Sequence, residues 1–146
     1  MPNLQKTSQK SQAEAGRPWV IVDVENKILG RVASEIANLL RGKDRPTFNP
    51  HDDCGSFVVV VNASKIKMTG KKLTNEILYH HTGYLGGLKK QTPGDLLSKN
   101  PDRLLRDTVW GMLPKNKLSR RLLTKLHIYP ETEHSHQAQR PVPAKI

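Results

Sequence analysis

Lys115, Lys117, Arg120, Arg121 and Lys125 fall in one stretch, and no acidic residue lies between Leu113 and His127. Charges of one sign this close repel each other unless an anion neutralises them. Phosphates do this well, because each contact releases condensed counterions and that release supplies free energy. The residue types therefore suit polyanion binding, not bond making. A solvated helix face is the competing reading, but such faces usually mix signs.

Two further basic groups stand earlier in the chain. Lys65, Lys67, Lys71 and Lys72 form one, again without acid, and Lys67, Lys71 and Lys72 are taken as RNA-binding candidates. Arg41, Lys43 and Arg45 form the other, diluted by Asp44, with Arg31 upstream on the same polar face. A different pattern runs through Tyr79-His80-His81-Thr82-Gly83-Tyr84-Leu85-Gly86-Gly87-Leu88-Lys89-Lys90. Glycines let backbone approach a phosphate, aromatic and imidazole rings can stack on bases, and His80, His81, Lys89 and Lys90 supply polar contacts. Gly83 to Gly86 also fits a GxxG clamp, but such a clamp joins two helices, and the Tyr-His-His side reads as strand. An ordinary Gly-rich turn is the competing, less favoured reading. No Gly-Lys-Ser or Gly-Lys-Thr follows the glycines, so this is no P-loop.

Reactive candidates are few. His51, Asp52, Asp53 and Cys54 could suggest a thiol nucleophile with a base, or a metal site. Neighbours in sequence rarely converge on one point, and a turn after Asn49-Pro50 explains the segment better. Glu131, Glu133, His134 and His136 lie in a tail too polar to hold metal geometry. We expect no catalytic residue, no metal and no cofactor.

The elements that position these groups read as follows. Trp19-Val20-Ile21-Val22 is a short aromatic and β-branched strand. Val32, Ile36, Leu39 and Leu40 recur at helical spacing, with Gly42 placed as a C-cap. Phe57-Val58-Val59-Val60-Val61 is apolar throughout, as a strand covered on both faces would be. Lys65-Ile66-Lys67-Met68 alternates like a half-exposed strand. Asn100-Pro101 predicts an N-cap and a first helical proline, followed by a stripe of Leu104, Leu105, Thr108, Val109 and Met112. A second helix is expected over 119–126, with Leu122, Leu123 and Leu126 inward and Arg121 and Lys125 sharing the outer face. His127-Ile128-Tyr129 suggests a last strand, and from Pro130 onward there is almost nothing to bury. This order gives an α/β fold with one sheet flanked by helices.

Composition agrees. The chain has 146 residues, 24 Lys and Arg against 13 Asp and Glu, a formal charge of +11 and a pI near 10.0. Such imbalance costs a compact domain stability and points to a polyanionic partner. A lone Cys54 excludes an internal disulfide or a Cys-pair zinc site. No apolar run approaches the ~20 residues of a membrane span. The first sixteen residues lack a signal-peptide core and read as a flexible cytosolic extension.

Taken in order, Leu29-Gly30-Arg31-Val32-Ala33, Asn49-Pro50-His51, Val60-Val61-Asn62-Ala63, Tyr79-His80-His81-Thr82-Gly83 with Gly86-Gly87, Gly111-Met112-Leu113-Pro114-Lys115, Glu133-His134 and Ala138-Gln139-Arg140-Pro141 form a specific set. From Trp19 onward they closely resemble the bacterial-type large-subunit ribosomal protein thirteen family. The resemblance implies a compact three-layer α/β/α domain that binds large-subunit ribosomal RNA, helps early subunit assembly and catalyses nothing. It implies RNA-facing segments at 80–90 and 112–125, and a tail lying on RNA or neighbouring proteins. Cys54 and Ser56 stand where the family usually has Thr and Asp, and Ser119 replaces a frequent Gly. Trp110 often gives way to a basic residue there, so it is not counted as an RNA contact.

The expected organisation is a flexible extension over 1–17, one α/β RNA-binding domain over 18–129 and an extended tail over 130–146. The sheet should be mostly parallel, with about four strands. The expected partners are large-subunit ribosomal RNA and neighbouring large-subunit proteins in the cytoplasm, with no membrane and no small-molecule substrate. The alternative is an RNA-acting enzyme or assembly factor using Cys54 or a His.

Overall fold

A computed structural model describes residues 17–46 and 48–144. Strand β1 (Trp19–Asp23) leads into helix α1 (Leu29–Arg41) and strand β2 (Phe57–Val61). A single 3-10 turn (Ala63–Lys65) and the short helix α2 (Lys72–Asn75) come next. Strands β3 (Leu78–His81) and β4 (Leu88–Gln91) precede helices α3 (Pro93–Lys99), α4 (Pro101–Met112) and α5 (Lys117–Leu123). Strands β5 (Leu126–Ile128) and β6 (Val142–Pro143) close the chain. The main sheet has the order β5-β2-β1-β6 and every pairing in it is parallel, as the expected α/β fold requires. β3 and β4 form a separate antiparallel hairpin.

Partners in a parallel ladder share a face, so the register sorts the side chains. Val20, Val58 and Leu126 align, as do Val22, Val60 and Ile128. This face packs under α1, through Leu29, Val32, Ala33, Ile36 and Leu40, and under Leu104, Leu105 and Val109 of α4. Full burial of each Val, Leu or Ile there contributes roughly 1.5–3 kcal/mol. The opposite face carries Trp19, Phe57, Val59 and His127. Trp19 stacks on Phe57 at 4.6 Å and on His127 at 5.6 Å, and His136 from the tail closes on Trp19 at 4.8 Å. Val58 to Val61 are all buried, in keeping with their unbroken apolar run.

Two glycines let the chain fold back on α1. Gly42 ends the helix at φ 75°, donating to the carbonyls of Asn38 and Leu39. Gly55 passes so close that a Cβ there would lie 1.7 Å from the Leu40 carbonyl oxygen.

Several sequence expectations need correction. The 65–68 stretch is not a strand: Lys67 makes one isolated parallel bridge with Ile28, and Ile66 is buried in the hydrophobic core. Asn100 sits at the α4 N-cap, but its side chain makes no capping bond. The last helix spans Lys117–Leu123, not 119–126, and Leu126 belongs to β5. Its cap is Asn116, whose side chain accepts from the Ser119 N–H at 2.7 Å. The tail buries little, as expected, but its backbone is tied to the domain. Asn62 and Ser64 donate backbone bonds to the carbonyls of Glu131 and Pro130, and Val142–Pro143 pairs with Val20 and Ile21. Proline is tolerated there because β6 is an edge strand.

Candidate nucleic-acid interface

The hairpin carries four of the expected contacts. His80 pairs across the strands with Lys89, and Tyr79 pairs with Lys90, whose Nζ lies 5.8 Å from the tyrosine ring centre. His80, His81, Lys89 and Lys90 are all exposed. His81 Nδ1 accepts the Gly83 N–H at 3.0 Å, which fixes the ring and leaves the other nitrogen to face outward contacts. The turn is closed by the Thr82 N–H to the Gly87 carbonyl at 3.0 Å and the Gly87 N–H to the Tyr84 carbonyl at 2.9 Å. Gly83 and Gly86 adopt φ 91° and 70°, values that favour glycine. The GxxG stretch is thus a hairpin turn and joins no helices.

A second group gathers where α1 begins. The Leu29 N–H donates to the Lys67 carbonyl at 2.9 Å, so Lys67 lies beside the first turn that carries Arg31. Lys72 lines a cavity with Gly30, Met68 and Leu78, which places α2 at the same end. Arg31, Lys67, Lys71 and Lys72 are exposed.

A third group lies at the far end of α1. Arg31 and Arg41 are separated by ~15 Å along the helix at 1.5 Å per residue. Arg41 is half-buried, with its guanidinium 5.7 Å from the Phe48 ring centre. Arg45 is half-buried too, and it donates to the Ser56 hydroxyl at 3.3 Å. Lys43 is exposed beside Asp44. The structure therefore gives Arg41 and Arg45 packing roles in addition to any contact with an anion.

The 112–125 segment divides. Lys117, Arg120 and Arg121 are exposed on α5, and no ion pair engages them among the described residues. Lys115 is exposed but anchored: its Nζ sits 4.3 Å from the Trp110 ring centre and bonds the Trp110 carbonyl. This makes Trp110 a positioning residue for a basic group, a role the sequence did not reveal. A lysine five residues after a tryptophan near a helix end is the signal that could have found it.

Lys125 requires the main correction. Expected to face outward beside Arg121, it lies past the helix end and is only 4 % exposed. Its ammonium pairs with Asp53 and donates to the Gly55 carbonyl at 3.3 Å. Asp53 also faces Arg17 at 3.8 Å. Burial pulls the Lys125 ammonium below its ordinary value, against the opposing pull of Asp53. Lys125 is a structural cation and leaves the interface.

The reactive candidates do not assemble. Cys54 is buried, and its neighbour Asp53 is committed to Lys125 and Arg17. Among the described residues no three His, Cys, Asp or Glu side chains converge as metal ligands. The His136 and His127 rings meet at a tilt with centroids 4.5 Å apart, and burial, followed by the charges of His136 and Arg106, lowers the His127 pKa. No helix among the described residues is long and apolar enough to cross a membrane.

Comparison with known proteins gives this geometry a context. Residues 17–135 match the family described as Ribosomal protein L13. The chain is 56 % identical over 136 residues to the large ribosomal subunit protein uL13 of Geobacter sp. (strain M21), covering 93 % of this chain and 96 % of that protein. It is 52 % identical over 138 residues to the large ribosomal subunit protein uL13 of Brevibacillus brevis, covering 94 % and 95 %. The large ribosomal subunit protein uL13 of Cutibacterium acnes is 53 % identical over 133 residues, covering 91 % and 90 %. A match spanning most of the chain, together with relatives at this identity, means that the chain belongs to the ribosomal protein L13 family.

Proposed function

We propose that this chain is a structural constituent of the large ribosomal subunit that binds large-subunit ribosomal RNA, supports early subunit assembly and works in the cytoplasm beside neighbouring large-subunit proteins. The observation that carries the reading is the placement of uncompensated charge. No acidic residue occurs from Ile77 to Gly94 or from Pro114 to Leu126. Lys89 on the hairpin and Lys117, Arg120 and Arg121 on α5 are exposed there. Arg31, Lys67, Lys71 and Lys72 add positive charge near the start of α1, and Lys90 and Lys115 stand ready beside aromatic rings. Such spacing suits contact with several phosphates at once.

The role is structural and not enzymatic. The alternative of an RNA-acting enzyme is disfavoured at Cys54, since the thiol is buried and the adjacent Asp53 is engaged by Lys125 and Arg17. The test is a filter-binding titration on protein-free large-subunit ribosomal RNA across a salt series. If about five to eight phosphates are neutralised, the log–log slope is ~−4 to −7. A slope near zero would contradict the reading. Loss of the chain from mature large subunits during a high-salt wash would count against a structural place in them.

A further inference from the structure

We infer that the β3–β4 hairpin is a stacking finger for unpaired nucleotides, with the Tyr84 ring as its base platform. The inference rests on the RNA-binding reading above and deepens it: the target of this element is single-stranded RNA within the larger molecule.

The first observation is where the apolar surface lies. Seven large apolar side chains are exposed among the described residues, and five of them, Ile77, Tyr79, Tyr84, Leu85 and Leu88, belong to the hairpin or its root. Tyr84 is 80 % exposed and Leu85 is fully so. A lone domain gains nothing by gathering such groups on one projection, and a patch of this kind marks a contact.

The second observation is orientation. Cross-strand partners share a face, so Tyr79, His81, Leu88 and Lys90 stand together, and Leu78, His80, Lys89 and Gln91 stand opposite. Leu78 packs against the core. The face bearing Tyr79 and Leu88 is therefore turned away from the domain. The two bonds across the 82–87 turn hold the tip, and Gly87 fits only because it lacks a Cβ, which would meet Thr82 Oγ1 at 2.0 Å. Tyr84 is thus presented on a closed turn, which lowers the ordering cost of a contact.

The third observation chooses the partner. His81 and Lys90 share the outward face with Tyr79 and Leu88, His80 and Lys89 are exposed on the other face, and the hairpin has no acid. A protein partner would match the apolar tip but not this one-signed rim. Unpaired RNA offers base faces for the rings and phosphates for the lysines. Duplex RNA does not serve, because its bases are already stacked on one another.

The experiment uses the full chain, protein-free large-subunit ribosomal RNA, and chemical probing of base accessibility. Tyr84→Ala is expected to weaken binding roughly 5- to 150-fold, the range for loss of one base–aromatic stack, with the salt slope unchanged. Tyr84→Phe keeps the ring and should bind within about twofold of the parent chain by the same argument. Lys89→Gln with Lys90→Gln should instead flatten the salt slope by about one and a half units. An unpaired base shielded by the parent chain becomes reactive with Tyr84→Ala. Equal binding by the parent chain and Tyr84→Ala overturns the inference while leaving RNA binding by the rest of the surface intact. The same holds if Tyr84→Ala binds RNA normally but its subunits lack a neighbouring protein, since the tip then sits on protein. Failure of the parent chain to bind RNA removes the RNA-binding reading itself, and the inference with it.

Discussion

Removing Asp53 should destabilise the fold more than removing Lys125, although both belong to one ion pair. Asp53→Ala leaves the Lys125 ammonium only 4 % exposed, with the Gly55 carbonyl as its remaining hydrogen-bond acceptor. Breaking a buried pair from one side costs ~3–5 kcal/mol, because an uncompensated charge stays inside. Lys125→Met instead leaves Asp53, whose side chain is 15 % exposed and still faces Arg17 at 3.8 Å. Its cost should be about half as large, with the methionine filling the space of the lysine stem. The double variant should recover much of the Asp53→Ala loss, since apolar replacement of a whole buried pair is often close to neutral. Urea unfolding followed by Trp19 and Trp110 fluorescence measures this, and a loss of ~4 kcal/mol moves the midpoint by about 2 M at a slope of ~2 kcal/mol per M. Purely additive losses in the double variant would refute the coupling. A pH series adds an independent check. The folded ammonium titrates below its ordinary 10.5. Between that lowered value and 10.5 the unfolded chain binds more protons, so this group makes stability rise with pH in that window. Lys125→Met should lose the rise. Its RNA salt slope should stay that of the parent chain, and a slope flattened by about one unit would mean that Lys125 reaches a phosphate after all.

Three other outcomes follow from the packing. Gly55→Ala should prevent stable folding in a thermal melt, because its Cβ would lie 1.7 Å from the Leu40 carbonyl oxygen. Cys54→Ala should leave RNA binding and subunit assembly unchanged, with a stability loss of about 1 kcal/mol from its buried sulfur, read by urea titration. His127 is held neutral by burial, so its contribution to stability is complete above 6.5 and is lost as pH falls through its lowered folded value. His127→Gln should flatten the corresponding part of an acid unfolding curve.

The parts of the fold legible in the sequence are those with a strong period. β1, α1, β2 and α4 show unbroken apolar runs or clear helical stripes, and each follows from burial of one face. The parts that escaped lack such a signal. α3 is seven residues with only Pro93 and Leu96 buried, and it is marked mainly by Thr92, whose hydroxyl accepts the Asp95 N–H at 3.2 Å. β4 is exposed throughout and reads as polar loop. β6 is two residues, one of them proline, and exists because it lies beside β1. The stripe of Leu122, Leu123 and Leu126 extended the last helix too far, since Leu126 is buried by sheet packing and not by a helix face. Lys125 was misread for a related reason. Its partner Asp53 is 72 residues away, and no local pattern announces a pairing at that separation. The exposure of Lys117, Arg120 and Lys89 was legible because charged side chains without a buried partner stay at the surface.

The central claim is that located positive charge, and not total charge, binds RNA. One comparison tests it most directly: salt titrations of RNA binding by two triple variants with the same change in net charge. Lys117→Gln with Arg120→Gln and Arg121→Gln removes exposed cations that no ion pair engages among the described residues. Lys65→Gln with Lys99→Gln and Arg103→Gln removes cations of which Lys65 and Arg103 pair with Glu25 and Asp107, while Lys99 lies one helical turn after Asp95. With circular dichroism showing both sets folded, the first should weaken binding and flatten the slope by about two to three units, and the second by less than one. Equal losses from the two sets would contradict the account.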